Sequence, residues 1–221
     1  MTEVLPQTGE ALPISFEAQC EQVAVWAAGL HANEAPFHPF AHSLQVFARA
    51  MEIADRFEAD GKLIDRRRLG FASICHDILV HLPLNADVVP GIKFDSKEQR
   101  SAWLARDYLI SKGYDKESVA QPVYDSIITT NKDQDCITDT DIALCMADIH
   151  NTNEPFETFE DRAHARYREE CMFNSLKSSF EEWLPGAMDY LKEHLSPNMP
   201  REYIEKALKQ IEKLLTKHGL K

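Results

Sequence analysis

The chain has 221 residues, enough for one ordinary domain that buries a full core without disulfide or metal staples. Its 24 Lys plus Arg stand against 36 Asp plus Glu, a formal net charge of −12 that disfavours long nucleic acids and anionic membrane surfaces as partners. With 44% hydrophobic and 27% charged residues the composition is that of a folded globular protein, yet this acidic chain carries nine histidines.

Met1-Thr2-Glu3-Val4 has no basic n-region, no apolar core of signal-peptide length follows, and no stretch approaches a membrane span. Residues 1–13 read as a flexible segment ahead of a single all-α domain over 14–221. Val46, Phe47, Ala50, Met51, Ile53, Ala54 and Phe57 keep one helical face from Ser43 to about Glu58. Asp65 caps a following helix in which Leu69, Ala72, Ser73, Cys75 and Ile78 recur at helical spacing. From about Val80 to Asp95, Pro83, Asn85, Pro90 and Gly91 break the pattern into a long loop. Ser96-Lys97-Glu98-Gln99 opens the next helix with a capping-box pattern and Gly113 closes it.

Further helices are expected over 116–130, 139–149 and 155–183, with Pro155 at a first helical position. A last one over 200–218 aligns Ile204, Leu208, Ile211 and Leu215 and stops at Gly219. No period-two strand pattern, repeat or linker divides the chain. The five cysteines are scattered without a C-x-x-C pair, which argues against a disulfide framework or thiolate zinc site and fits a reducing cytoplasm. Cys75 and Cys145 sit in apolar helical patterns, as small core residues do.

Three segments carry the chemistry. Phe37-His38-Pro39-Phe40-Ala41-His42 places two imidazoles four residues apart at a helix start. His76-Asp77 is an adjacent pair in an apolar helix, where neighbours project about 100° apart and reach one ion from two sides. Asp148, in Met146-Ala147-Asp148-Ile149-His150-Asn151, ends another apolar helix. A lone histidine or aspartate in such a context is ordinarily a hydrogen-bonded core group. Jointly, two imidazoles and two carboxylates from three helices form a first shell for a divalent ion with positions left for water.

This H…HD…D pattern, over 37–151, resembles the HD superfamily of metal-dependent phosphohydrolases. The resemblance implies a helical bundle of the HD/phosphodiesterase-like type, with His42, His76, Asp77 and Asp148 as ligands of a divalent ion (manganese, magnesium, zinc or iron). Asp77 would bridge to a second, hydrated ion if one binds. Ala147-Asp148-Ile149-His150-Asn151 is similar to a segment of cyclic-nucleotide phosphodiesterases, in which the role of proton donor to the leaving oxygen would fall to His38. Lys97-Glu98-Gln99-Arg100-Ser101-Ala102 resembles the Glu-x-x-Ser-Ala of small bacterial HD proteins, which places Glu98 near the metal waters. Asp95 to Glu98 and Ser96 to Gln99 are equally capping-box spacings. No histidine lies between His81 and His150, so a histidine-rich di-iron site is not expected.

A phosphoryl substrate needs cationic donors beside the metal. The candidates are Lys93 in the long loop, Arg100 and Arg106 on the next helix, and Arg162 and Arg166 further on, with His81 four residues beyond Asp77. Arg66-Arg67-Arg68 reads as a solvated helix start. His31, His164, His194 and His218 have no matching context and read as surface or core residues. The expectation is a cytoplasmic hydrolase whose partner is a small phosphorylated substrate, a nucleotide phosphomonoester or a cyclic or other phosphodiester. Neither a long nucleic acid nor a membrane is expected as a partner. The rival reading is a metal-binding regulatory module without turnover, whose last amphipathic helix docks a partner. The sequence does not give an oligomeric state.

Overall fold

Two helices are buried on every side over most of their length, and the rest of the fold wraps around them. In the computed structural model, which describes residues 14–31 and 35–220, helix α3 (Arg66–Cys75) buries every residue from Leu69 to Cys75. Helix α6 (Asp139–Asp148) buries every residue from Thr140 to Ala147. Helices buried all round belong in the middle of a protein. Segment 1–13, expected to be flexible, lies outside the described residues.

Around α3 pack α1 (Phe16–Ala28), α2 (Phe40–Ala59) and α5 (Gln121–Ile128), with α4 (Lys97–Ser111) against α3 and α5. Gly70 lets α1 approach α3: a Cβ there would stand 2.9 Å from the Phe16 ring and 3.3 Å from the Cys20 sulfur. A second apolar cluster joins α7 (Phe156–Phe173), α8 (Phe180–Glu193) and α9 (Arg201–Lys217) through Phe159, Phe180, Leu184, Ile211 and Leu214. The described residues contain no strand, and none of their helices is long and apolar enough to cross a membrane.

Most expected elements form at the expected places. Asp65 and Ser96 cap α3 and α4 through Arg68 N and Gln99 N, and residues 80–95 form the long loop. Other elements differ. Helix α1 was not foreseen, although Cys20, Val23 and Ala27 sit at core spacing. The expected 116–130 helix begins as a short π segment, Lys116–Ala120, before α5. The expected 155–183 helix is two helices. Asn174 ends α7, Ser175 takes φ +56, and Ser179 restarts the chain in a reciprocal capping box with Glu182. A polar Asn174-Ser175 and Ser178-Ser179 stretch outcompetes continued helical spacing because each side chain offers the backbone an alternative partner. Pro155 is the cap residue of α7 rather than its first turn.

Cys145, read as a core residue, is indeed buried, but it is also joined to Cys136. The loop between α5 and α6 folds back so that both sulfurs lie against the Thr129 carbonyl, at 3.3 and 3.7 Å. Sequence spacing alone does not report that reversal.

Candidate metal centre and substrate cavity

The site grows from helix ends. His76 and Asp77 follow the last residue of α3, Asp148 is the last residue of α6, and His42 lies in the first turn of α2. Two helix C-termini thus add their partial negative charge to that of two carboxylates in one space, which favours a cation there. His76 Nδ1 donates to the Ser73 carbonyl at 2.9 Å, which turns Nε2 toward that space.

The four groups close a ring. His42 Nε2 is 3.6 Å from Asp77 Oδ2 and 3.5 Å from Asp148 Oδ1, while His76 Nε2 is 3.1 and 3.3 Å from the same two oxygens. Donors about 2.1 Å from one ion stand about 3.0–3.5 Å apart for right-angled to tetrahedral arrangements. His42 Nε2, His76 Nε2 and Asp77 Oδ2 are buried without a hydrogen-bond partner, a costly condition that a coordinated ion removes. The residues present therefore fit a divalent ion.

The electrostatics agree. Burial pushes His42 down to about 4, so its imidazole is a neutral ligand. Burial also works against a charged His76, but Asp77 and Asp148 outweigh it and hold its pKa well above the ordinary value. Burial works against ionised Asp77 and Asp148 as well, yet the neighbouring imidazoles, His76 foremost, bring both below the usual carboxylate range.

His38 stands beside this ring, its Nε2 3.6 Å from Asp77 Oδ2. Its other nitrogen, Nδ1, donates to Glu169 Oε1, and Glu169 Oε2 accepts from the backbone N–H groups of His38 (2.8 Å) and Phe37 (3.0 Å). Burial opposes ionisation of Glu169, but these bonds, led by that of the His38 ring, bring its pKa down to about 2. Arg166 Nη1 donates to His38 Nε2 at 2.9 Å. Glu169 escaped the sequence reading because it lies 131 residues from His38 on an unremarkable charged helix.

These groups open into a cavity of about 580 Å3 between the two apolar clusters. His38, Asp77 and Asp148 form one end; Lys97, Arg162 and Arg166 bring cations; Trp183, Tyr190 and Leu191 of α8 form an apolar wall. Glu98 also lines it and accepts from Asn131 Nδ2 at 3.3 Å. Ser96 accepts the Gln99 N–H, so the capping spacing at 96–99 is realised while Glu98 still faces the cavity.

Four expected substrate contacts, Arg100, Lys93, His81 and Arg106, lie elsewhere. Arg100 is fully buried and its guanidinium donates to the carbonyls of Leu79 (2.7 Å), Leu82 (3.0 Å) and Pro83 (2.9 Å). It braces the turn after Asp77, where Leu79 takes φ +57, and Ser101 Oγ adds a bond to the Ile78 carbonyl at 2.9 Å. Lys93 is exposed on the loop, and His81 packs near the Phe173 ring, centroids 6.0 Å apart; neither lines the cavity. Arg106 lies over Tyr124. Arg66 and Arg68 pair with Asp55, Glu58 and Asp141. His194, read as a surface or core residue, lines the cavity.

No family model matches the chain, and comparisons with curated proteins and with solved structures found no significant match.

Proposed function

We propose that the protein is a metal-dependent phosphohydrolase of the HD type, acting on a small phosphate ester such as a nucleotide monoester or a cyclic or other phosphodiester. One observation carries this reading: four convergent ligand atoms sit at the end of a cavity that also holds a carboxylate-oriented histidine and three cations. A divalent ion there would polarise a phosphoryl oxygen and lower the pKa of a bound water.

The chain's own groups supply the rest. Arg166, with Arg162 and Lys97, neutralises the phosphoryl oxygens. With Arg166 engaged by the substrate instead, His38 Nε2 would take up a proton from solvent water and pass it to the leaving oxygen. Glu169 accepts from Nδ1 and so keeps that ring in one tautomer and one orientation. The wall of Trp183, Tyr190 and Leu191 excludes water and favours an ester whose leaving group has a flat or apolar part.

The regulatory-module reading rests on α9, most of whose apolar face lies inside the molecule: Ile211, Leu214 and Leu215 are buried against α7 and α8, while Leu208 is exposed. The test is hydrolysis of nucleotide monoesters, cyclic nucleotides and generic phosphoesters by the metal-loaded protein, with Asp77→Ala as control. Turnover of at least one class, abolished in the variant together with the loss of the ion held by His42, His76, Asp77 and Asp148, is the expected result. Metal binding without turnover of any class would favour the regulatory reading, and full turnover by the variant would end the proposal.

A further inference from the structure

The nine histidines are not all used at the first site. Glu160 and His164, four apart on α7, share one face of that helix, and His218 follows the last residue of α9. One ligand atom from each of the three lies within 4.8 Å of the other two. His218 Nε2 is 3.6 Å from Glu160 Oε1, and it is buried without a hydrogen-bond partner. The other ring nitrogen of His218 lies 3.7 Å from Glu181 at the start of α8, beyond hydrogen-bond length, so this carboxylate adds negative potential beside the imidazole rather than a bond to it. Phe180 fixes both rings: it stacks on His164 at 4.0 Å and lies 5.1 Å from His218. The C-terminal end of α9 adds its own negative potential.

From this arrangement we infer that Glu160, His164 and His218 form a second metal site, built for a borderline divalent ion of the zinc type, with a water as fourth ligand. Two imidazoles and one carboxylate suit such an ion better than a hard, all-oxygen cation. Its place is structural. The site joins α7 to α9 beside the α8 start, at the edge of the C-terminal apolar cluster and apart from the residues lining the large cavity. Lys217, whose Nζ lies 2.7 Å from the Glu160 carboxylate, is the cation that the ion displaces; its side chain is half exposed and free to turn outward.

The inference does not depend on the proposed hydrolase activity, because it is decided by a difference between proteins. The full-length chain is stripped with chelator, loaded with Zn2+ alone, desalted and measured for zinc per chain; His164→Gln and His218→Gln are treated alongside. Each is checked for folding by its melting curve in chelator. The expected result is one zinc fewer per chain in the variants than in the parent, whatever the parent's total. The zinc-induced rise in melting temperature should shrink in the same variants. If either histidine variant fails to fold, Glu160→Gln, at a partly exposed position, takes its place. Equal zinc content in the parent and in every folded variant would overturn the site.

Discussion

At the scale of single residues, His38 differs from the neighbouring His42 by its partners rather than by its type. His42 turns an unpartnered, buried Nε2 toward Asp77 and Asp148, whereas His38 is held by Glu169 and met by Arg166. Substituting the two should therefore separate metal binding from proton transfer. His38→Gln is expected to keep the metal while lowering turnover by about 10²–10⁴-fold, the usual contribution of a general acid. His42→Gln should lose the metal; metal analysis beside initial rates checks both. Glu169 is a positioning residue, so Glu169→Gln should change the pH profile of kcat more than KM. An unchanged profile would show that the pair only packs. The motif residues were legible in the sequence because each is a local signature. Glu169 was not, since nothing near it in the chain marks it.

At the scale of elements, the metal ligands depend on how α3 stops. The helix ends at Cys75, His76 caps it, and Leu79 accepts a left-handed conformation that costs a non-glycine residue about 1–2 kcal/mol. Arg100 and Ser101 from α4 hold the carbonyls of this turn, so the brace for Asp77 comes from another helix. Arg100→Ala leaves three carbonyls without their donor and should cost about 3 kcal/mol in urea unfolding. Arg100→Lys should recover only part of that, because an ammonium does not span the three as a planar guanidinium does. In sequence Arg100 looked like a phosphate grip. An arginine near a metal motif serves either purpose, and only burial distinguishes them. The division of α7 from α8 was legible in Ser179 and Glu182, but continuous helical spacing masked it.

At the scale of the whole molecule, the cavity lies where the two apolar clusters meet, and its cations come from both sides of it: Lys97 from α4, Arg162 and Arg166 from α7. An ion bound to the folded state alone stabilises the whole. At 100-fold excess over Kd, Mn2+ should add about 2.7 kcal/mol, which for a chain of this size raises Tm by about 5–10 °C. Chelator should reverse the shift, and Asp148→Asn should abolish it. Acid acts through Glu169 as well. Its pKa is depressed from 4.5 to about 2 in the folded protein, so its contribution is complete above about pH 4.5 and is lost as pH falls through 2. Urea midpoints between pH 2 and 6 should therefore fall less steeply in Glu169→Gln than in the parent.

The sequence by itself determined the helical class, most element positions and the four groups that ring the candidate metal centre. Periodicity, caps and short motifs are local, and three apolar helix ends had few other ways to satisfy their acids and imidazoles. Tertiary structure alone decided which charges serve that centre. It sent Arg100 into a loop brace, brought Glu169 to His38 across 131 residues, and gathered Glu160, His164 and His218 from two helices. Those contacts depend on how helices cross, and the order of residues along the chain does not encode crossing in any short pattern. The net charge of −12 is likewise an average; folding brings Lys97, Arg162 and Arg166 into one cavity beside Asp77, Glu98, Asp148 and Glu170.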